Sequence, residues 1–137
     1  MDESLNLVLF SGTDDKLQAA AVLTAGAAAL GKPVNIFLQY WALDAFRTAK
    51  VDRDHGLAPE AGAAGRVAVD ALARAGQAPW AETFRQAKEL GGIDIQACSL
   101  SMDLLKLESG DLCPLVDGVE GVTAFYLNAG NGQIVFI

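Results

Sequence analysis

The sequence predicts an α/β fold, a three-layer α/β/α sandwich built on a mainly parallel sheet of about five strands. Short apolar runs alternate along the chain with longer segments of helical composition, and parallel strands need such crossover connections. With 137 residues, 52% of them hydrophobic and 20% charged, the chain has the size and composition of one folded domain spanning residues 1–137.

The first strand and helix have clear boundaries in the sequence. The run LNLVLF predicts a strand over residues 5–10, and residues 11–15 form a loop rich in helix N-cap types. An Ala-rich helix is predicted over residues 17–30, because Gly31 and Pro33 supply the expected stop.

The rest of the chain repeats this alternation, with one irregular segment and one ambiguous one. Residues 50–65 mix charge, Gly and Pro without periodicity, so we expect them to be the least ordered part. Residues 121–129 have strand-forming types, but Asn128 to Gly132 is typical of a helix C-terminus, and a helix is favoured. The other predicted elements are helices over 42–49, 66–75, 79–90 and 99–107 and strands over 34–38, 93–97, 115–119 and 133–137.

Charge and hydropathy exclude several classes of function. Ten Lys and Arg against seventeen Asp and Glu give a net charge of −7, which repels nucleic acid. The N-terminus is acidic where a signal peptide is basic, and the Ala-rich segment is shorter than the roughly 20 residues of a membrane span. We therefore expect a cytoplasmic protein with no membrane span.

The cysteines and the histidine exclude further site types. Cys98 and Cys113 are fifteen positions apart without a C-x-x-C spacing, so free thiols are expected. The one histidine, His55, has no partner at metal-ligand spacing, so neither a metal site nor a Ser-His-acid triad is predicted.

In an open α/β sheet, ligands bind at the carboxyl ends of the strands, where three loops should meet: residues 11–16, 39–41 and 98–102. The first loop opens a helix as a phosphate loop does, but it has one glycine and two acids and lacks G-K-[ST]. Nucleotide binding there is less favoured than helix capping. The candidate pocket residues of the first two loops are Gly12, Asp15, Lys16, Tyr40 and Trp41.

Cys98 lies where the third strand gives way to a helix. At such a helix start, unpaired backbone N–H groups and the helix dipole would stabilise a thiolate. Ser99 and Ser101 can cap the helix or donate to the sulfur, while Leu100 and Met102 can exclude water. The alternative is a packed core cysteine, and on spacing alone this interpretation is favoured.

Cys113 has a weaker claim to reactivity. The proline after it prevents it from opening a helix, and its neighbours Leu112 and Leu115 favour packing over a role as a resolving thiol.

Two stretches resemble a known family. LVLFSGTDDKLQAAAVLTAGAAALGKPVNIFLQYWAL resembles the opening of the DsrE/DsrF/DsrH-like family of small sulfur-handling proteins, and ACSLSMDLL resembles the A-C-x-x-S-M-D segment of its peroxiredoxin-like branch. The resemblance implies that Cys98 carries sulfur, with Ser101, Met102 and Asp103 as motif neighbours. Asp15, Lys16 and Trp41 match family positions of unassigned role. The chain departs from the branch at Lys106 and Ala42, where glycine is common.

The family resemblance also implies a function. The cysteine would hold a persulfide or thiosulfonate and pass the sulfur to a partner thiol, as a sulfurtransferase-like enzyme if catalytic, without a metal or organic cofactor. TusA-like carriers and rhodaneses are the implied partners, and homo-oligomers the implied assembly. Peroxide reduction is not supported, because no T-x-x-C pattern is present. The alternative is a non-catalytic, oligomeric small-molecule or nucleotide-binding module with a packed cysteine.

Overall fold

The structure, a computed structural model, describes residues 3–137. Its centre is an all-parallel sheet of five strands in the order β4-β3-β2-β1-β5. The predicted α/β fold with a parallel sheet is confirmed. The strands are β1 (Leu5–Leu9), β2 (Val34–Leu38), β3 (Ile93–Cys98), β4 (Gly118–Glu120) and β5 (Gln133–Phe136).

Helices connect all four pairs of consecutive strands. They are α1 (Asp14–Ala29), α2 (Tyr40–Ala45), α3 (Gly62–Arg74), α4 (Trp80–Glu89), α5 (Ser99–Leu105) and α6 (Val122–Ala129), and two short 3-10 turns lie at Pro59–Ala61 and Ser109–Asp111. The helix favoured over residues 121–129 is present as α6.

Several predicted helix and strand bounds differ from the structure. The helix predicted over residues 42–49 is α2 at Tyr40–Ala45, α3 begins four residues before the predicted start, and α5 ends two residues before the predicted end. Two further differences have identifiable reasons. Helix α1 begins at Asp14, three residues earlier than predicted, because acidic side chains are favourable in a first helical turn. The strand predicted over residues 115–119 lies instead at Gly118–Glu120. Leu115 is buried in the core before the strand, so its apolar character reflects packing and not strand periodicity.

The two faces of the sheet are covered unequally. The chain steps through β1, β2, β3 and β4 in one direction and returns across the sheet to β5. Right-handed crossovers therefore place helices α1 to α5 on one face and α6 alone on the other. The alternation within β2 fits this arrangement, since Ile36 and Leu38 join the main core and Phe37 joins a second, smaller cluster.

The core on the α6 face is correspondingly small. It consists of Phe37, Cys98 and Phe125, with Val8 packed against them. Beside it Phe136 of the edge strand β5 is 65% exposed. The α6 face thus has a thin apolar cover, whereas the other face holds most of the buried side chains.

The segment predicted to be least ordered is more regular than expected. Helix α3 begins at Gly62, and Val51 and Ala58 are buried. The Asp14 amide donates to the carbonyl of Gly56, and Asp15 accepts from the Ala58 amide. The N-terminal end of α1 therefore anchors this loop. No helix in residues 3–137 has the length and apolar character needed to cross a membrane.

Candidate functional site

Cys98 lies at the junction of β3 and α5. It is the last residue of the strand and the N-cap of the helix, and only 5% of it is exposed. Because side chains alternate along a strand, Ile95 and Ala97 enter the main core and Cys98 faces the α6 side. Within the part of the chain described, no side chain caps the first turn of α5.

Two phenylalanines cover the thiol. The rings of Phe37 and Phe125 stack with centroids 5.1 Å apart and an interplanar angle of 19°, and both pack in one cluster with Cys98. Leu100 and Met102, the residues expected to exclude water, do not fill this role. Leu100 is 60% exposed, and Met102 belongs to the main core on the other face.

Ser101 connects α5 to α2. Its side chain is fully buried, and its Oγ accepts a hydrogen bond from the backbone N–H of Tyr40 at 3.0 Å. Tyr40 has a φ of 43°, a left-handed conformation that is uncommon for a tyrosine. Ser101 was predicted to cap its own helix or bind the sulfur, but it satisfies the first amide of a neighbouring helix. Ser99 and Asp103 are exposed.

A row of aromatic side chains lies at the carboxyl edge of the sheet. The ring of Phe10 lies 5.0 Å from Tyr40 and 5.8 Å from Phe136, and Tyr40 lies 6.0 Å from Trp41. Trp41 is 55% exposed, and a Cβ added at Gly12 would overlap its carbonyl group. The structure therefore brings Gly12, Tyr40 and Trp41 together at this edge of the sheet.

Asp15 and Lys16 belong to a different neighbourhood. The Asp15 carboxylate accepts from the Ala58 amide at 3.1 and 3.2 Å, and the Lys16 ammonium lies 3.9 Å from Glu60. Partial burial opposes ionisation of Asp15, but hydrogen bonds from Thr13 and from backbone amides outweigh it and lower its pKa. Both side chains are engaged with the loop after α2 and not with the thiol.

The structure shows the surroundings of Lys106 and Ala42, the two residues that depart from the family pattern. Lys106 ends α5 in the left-handed conformation with a φ of 55°, where glycine is favoured. Ala42 is fully buried in the main core, so its methyl group does not lie at the surface near Cys98.

Glu120 lies beside Cys98 on the neighbouring strand, a position that the sequence did not reveal. It pairs with Cys98 in the parallel register of β3 and β4, so both side chains project from the same face. Burial, and then the negative charge of Asp94, raise the pKa of Glu120. The strand predicted over residues 115–119 ended one position before Glu120. With the observed bounds of β4, the sequence would have placed Glu120 next to Cys98.

Cys113 is separated from Cys98 by the sheet. It is 2% exposed in the main core, and its amide donates to the Phe46 carbonyl at 2.9 Å. Burial raises the pKa of the Cys113 thiol. Both cysteines are free. Because they lie on opposite faces of the sheet, Cys113 is not placed to form a disulfide with Cys98 as a resolving thiol.

His55 packs against an aromatic wall. Its ring centroid lies 5.8 Å from that of Trp80, and its amide donates to Asp14. Among residues 3–137, no group of three His, Cys, Asp or Glu side chains is placed to hold a metal ion.

These features define an α/β protein with a parallel sheet and a cysteine at the carboxyl end of one strand. The family model described as DsrE/DsrF/DrsH-like matches residues 1–137, and the chain belongs to this family. The uncharacterized protein YrkE of Bacillus subtilis (strain 168) is 29% identical over 149 aligned positions, covering 93% of this chain and 92% of YrkE.

A solved structure supports the fold. MTH1491 of Methanobacterium thermoautotrophicum, a protein of unknown function, superimposes with a TM-score of 0.55 at 14% identity. The match covers 99% of this chain and all of MTH1491. Family membership suggests a role related to sulfur relay.

Proposed function

We propose that the protein is a sulfur carrier that holds sulfane sulfur, as a persulfide or a thiosulfonate, on Cys98 and passes it to partner thiols. The observation that carries the proposal is the position of Cys98 at the end of β3, in a chain that belongs throughout its length to a sulfur-handling family. Of the two cysteines, it is the one at the carboxyl edge of the sheet, where ligands bind in α/β folds.

The loading step is a thiol exchange. The Cys98 thiolate attacks the outer sulfur of a donor persulfide, R–S–SH, and the donor S–S bond breaks. The products are the protein persulfide, which keeps the proton, and the donor thiolate R–S⁻. Sulfur is transferred without net oxidation, so neither a metal nor an organic cofactor takes part. Delivery is the same exchange with a partner thiolate as the attacking group.

The phenylalanine cover suits a carrier. A persulfide is reactive, and the stacked Phe37 and Phe125 rings restrict access of water and unrelated thiols to Cys98. Phe125 belongs to α6, the one helix on its face of the sheet, so a small displacement of this helix would expose the sulfur. We propose that a docking partner produces that displacement.

The partners proposed are a TusA-like carrier or a rhodanese, with the protein itself a homo-oligomer in the cytoplasm. Exposed apolar side chains offer material for such contacts. Four of them are exposed by more than half: Trp41, Tyr126, Leu127 and Phe136. Free thiols at both cysteines fit a reducing compartment.

Intact-mass spectrometry tests the carrier function. Incubation with a persulfide donor should add about 32 Da, one sulfur atom, and tetrathionate should add about 112 Da as a thiosulfonate. Dithiothreitol should remove either adduct. Cys98→Ser should abolish both adducts, and Cys113→Ser, the matched control, should retain them.

The proposal fails if the wild-type protein forms no reducible adduct, or if Cys98→Ser forms the same adduct as the wild type. Either result favours the alternative, a non-catalytic binding module in which Cys98 is a packed core residue.

A further inference from the structure

A cavity lies on the face of the sheet opposite Cys98. It encloses about 490 Å³ between the N-terminal ends of α1 and α4, the loop after α2, and α3. This volume is in the range of small-molecule sites. Its apolar wall is formed by Val51, Leu57, Val69, Leu72, Pro79 and Trp80.

Helix α3 packs loosely on the rest of the described chain. It is thirteen residues long and amphipathic, yet none of its residues is buried, whereas each of the other five helices buries at least two. Its residues Val69, Leu72 and Ala73 line the cavity, and Leu72 is 52% exposed. An amphipathic helix is stabilised mainly by burying its apolar stripe. A ligand in the cavity would provide that burial.

Two carboxylates that line the cavity, Asp14 and Asp15, are held by neutral hydrogen-bond donors, and Asp14 Oδ2 accepts from the backbone amide of His55 at 2.9 Å. Asp14 Oδ1 accepts from the indole N–H of Trp80 at 2.9 Å, which fixes both the carboxylate and the aromatic wall. Asp15 is bound by backbone amides. Within residues 3–137, no Lys or Arg nitrogen lies within 4.0 Å of either carboxylate.

The remaining charges of the cavity are exposed and mostly paired. Asp52 pairs with Arg85 at 3.1 Å, and Asp54 pairs with Arg66 at 3.7 Å. Arg53 is exposed, so water screens its charge more than it screens those of the half-buried Asp14 and Asp15. Four acidic residues and one basic residue, Arg53, line the cavity, so its local field is negative, in a protein whose net charge is −7.

We propose that this cavity binds a small organic cation with a compact apolar body, the body lying between α3 and Trp80 and the ammonium group meeting Asp14 and Asp15. The site is separate from Cys98, which lies on the opposite face, and its ligand is independent of the sulfur-carrier function. A phosphate or carboxylate ligand fits poorly, because the same two acids repel it.

Three probes with the same apolar body and different head groups test the inference: 1-aminoadamantane, 1-adamantanol and adamantane-1-carboxylate. Binding to the full chain is followed by Trp80 fluorescence in a Trp41→Phe background, which leaves one tryptophan. The amine should bind saturably with a dissociation constant of about 1 mM or below. The carboxylate should bind at least about 10-fold more weakly, with the alcohol between them.

Matched variants on α3 locate the ligand. Ala73→Phe fills the cavity and should abolish amine binding, whereas Ala71→Phe, on the same helix but outside the cavity, should leave it unchanged. Asp15→Asn should weaken amine binding at least about five-fold and leave the alcohol within about two-fold. Circular dichroism confirms that each variant is folded.

Three results would overturn the proposal. They are no saturable binding of the amine up to about 10 mM, equal affinity for the amine and the carboxylate, or an equal loss of amine affinity in Ala73→Phe and Ala71→Phe. Loading of Cys98 by a persulfide donor is measured on the same samples. Its success or failure bears on the sulfur-carrier function alone, because Ala73 and Asp15 lie away from the thiol.

Discussion

The hydroxyl of Ser101 accepts the backbone N–H of Tyr40 at 3.0 Å, across sixty-one positions of the chain. This bond joins the start of α2, which carries Tyr40 and Trp41 of the aromatic row, to α5, the helix whose N-cap is Cys98. It also supplies a partner for an amide at the start of α2, where helix geometry leaves N–H groups unpaired. The position of α2 relative to α5 therefore depends on the buried Ser101 side chain and not only on the sheet.

Ser101→Ala should lower the free energy of unfolding by about 1–2 kcal/mol, because it leaves the Tyr40 amide without its partner. Urea denaturation monitored by circular dichroism measures the change. Ser99→Ala is the control, since Ser99 is exposed at the start of the same helix and should change stability by less than about 0.5 kcal/mol. Equal effects of the two variants would contradict the role assigned to Ser101.

Gly12→Ala should destabilise the protein by about 1–3 kcal/mol, because the new methyl group overlaps the backbone of Trp41. Thermal unfolding measures this loss. Gly26→Ala provides the opposite case: Gly26 lies within α1 with no atom near its added Cβ, so alanine should stabilise by about 0.5–1 kcal/mol. If Gly12→Ala leaves the free energy of unfolding unchanged, Gly12 and the Trp41 backbone are not in close contact.

Lys106→Gly should raise the free energy of unfolding by up to about 1 kcal/mol. Lys106 ends α5 with a φ of 55°, a conformation that costs an L-residue energy and that glycine adopts freely. Chemical denaturation measures the gain, with Lys106→Ala as the control that keeps a Cβ and should bring no such gain. Equal stabilities of the two variants would mean that the left-handed conformation does not limit stability.

Local signals predicted most of the elements, and long-range contacts account for most of what was missed. Strand β2 was predicted with its observed bounds because VNIFL is a short apolar run between Pro33 and the polar Gln39. The position of Cys98 at a strand end followed from the same kind of pattern. Its cover by Phe37 and Phe125 did not, because their contact depends on the return crossover to β5.

The assignment of side chains to faces explains a further error. Met102 follows Cys98 by four positions and was expected to shield it. The strand directs Cys98 to one face of the sheet, while α5 packs Met102 into the main core on the other. No periodicity within β3 or α5 alone determines that relationship, because it arises where one period gives way to the other.

Glu120→Gln should make stability less dependent on pH. Burial and Asp94 raise the pKa of Glu120 in the folded state, so its contribution is complete below its ordinary pKa and is lost as pH rises through the raised value. Glutamine does not ionise, so the variant should gain stability relative to the wild type as pH rises above the ordinary glutamate pKa of 4.5. Urea titrations at pH values below and above this pKa measure the difference.

An Asp94→Asn background provides the control for Glu120. It removes one of the two causes of the raised pKa, so Glu120→Gln should then have a smaller effect. A difference between wild type and Glu120→Gln that stays constant with pH would rule out a raised pKa at this position.

Phe125→Leu should accelerate alkylation of Cys98 by iodoacetamide at least about three-fold, because the smaller side chain opens the stacked cover over the thiol. Peptide mass spectrometry follows both cysteines in one sample. Cys113, in the other core, should remain slow, since burial both restricts access and raises its pKa.

Phe84→Leu distinguishes local opening from general destabilisation. Phe84 is fully buried in the main core, and both leucine variants should lower the free energy of unfolding by about 1–2 kcal/mol. If exposure of Cys98 requires only displacement of α6, Phe125→Leu alone accelerates its alkylation. If both variants accelerate it equally, the thiol reacts through global unfolding, and shielding by α6 has no part in how the sulfur is reached.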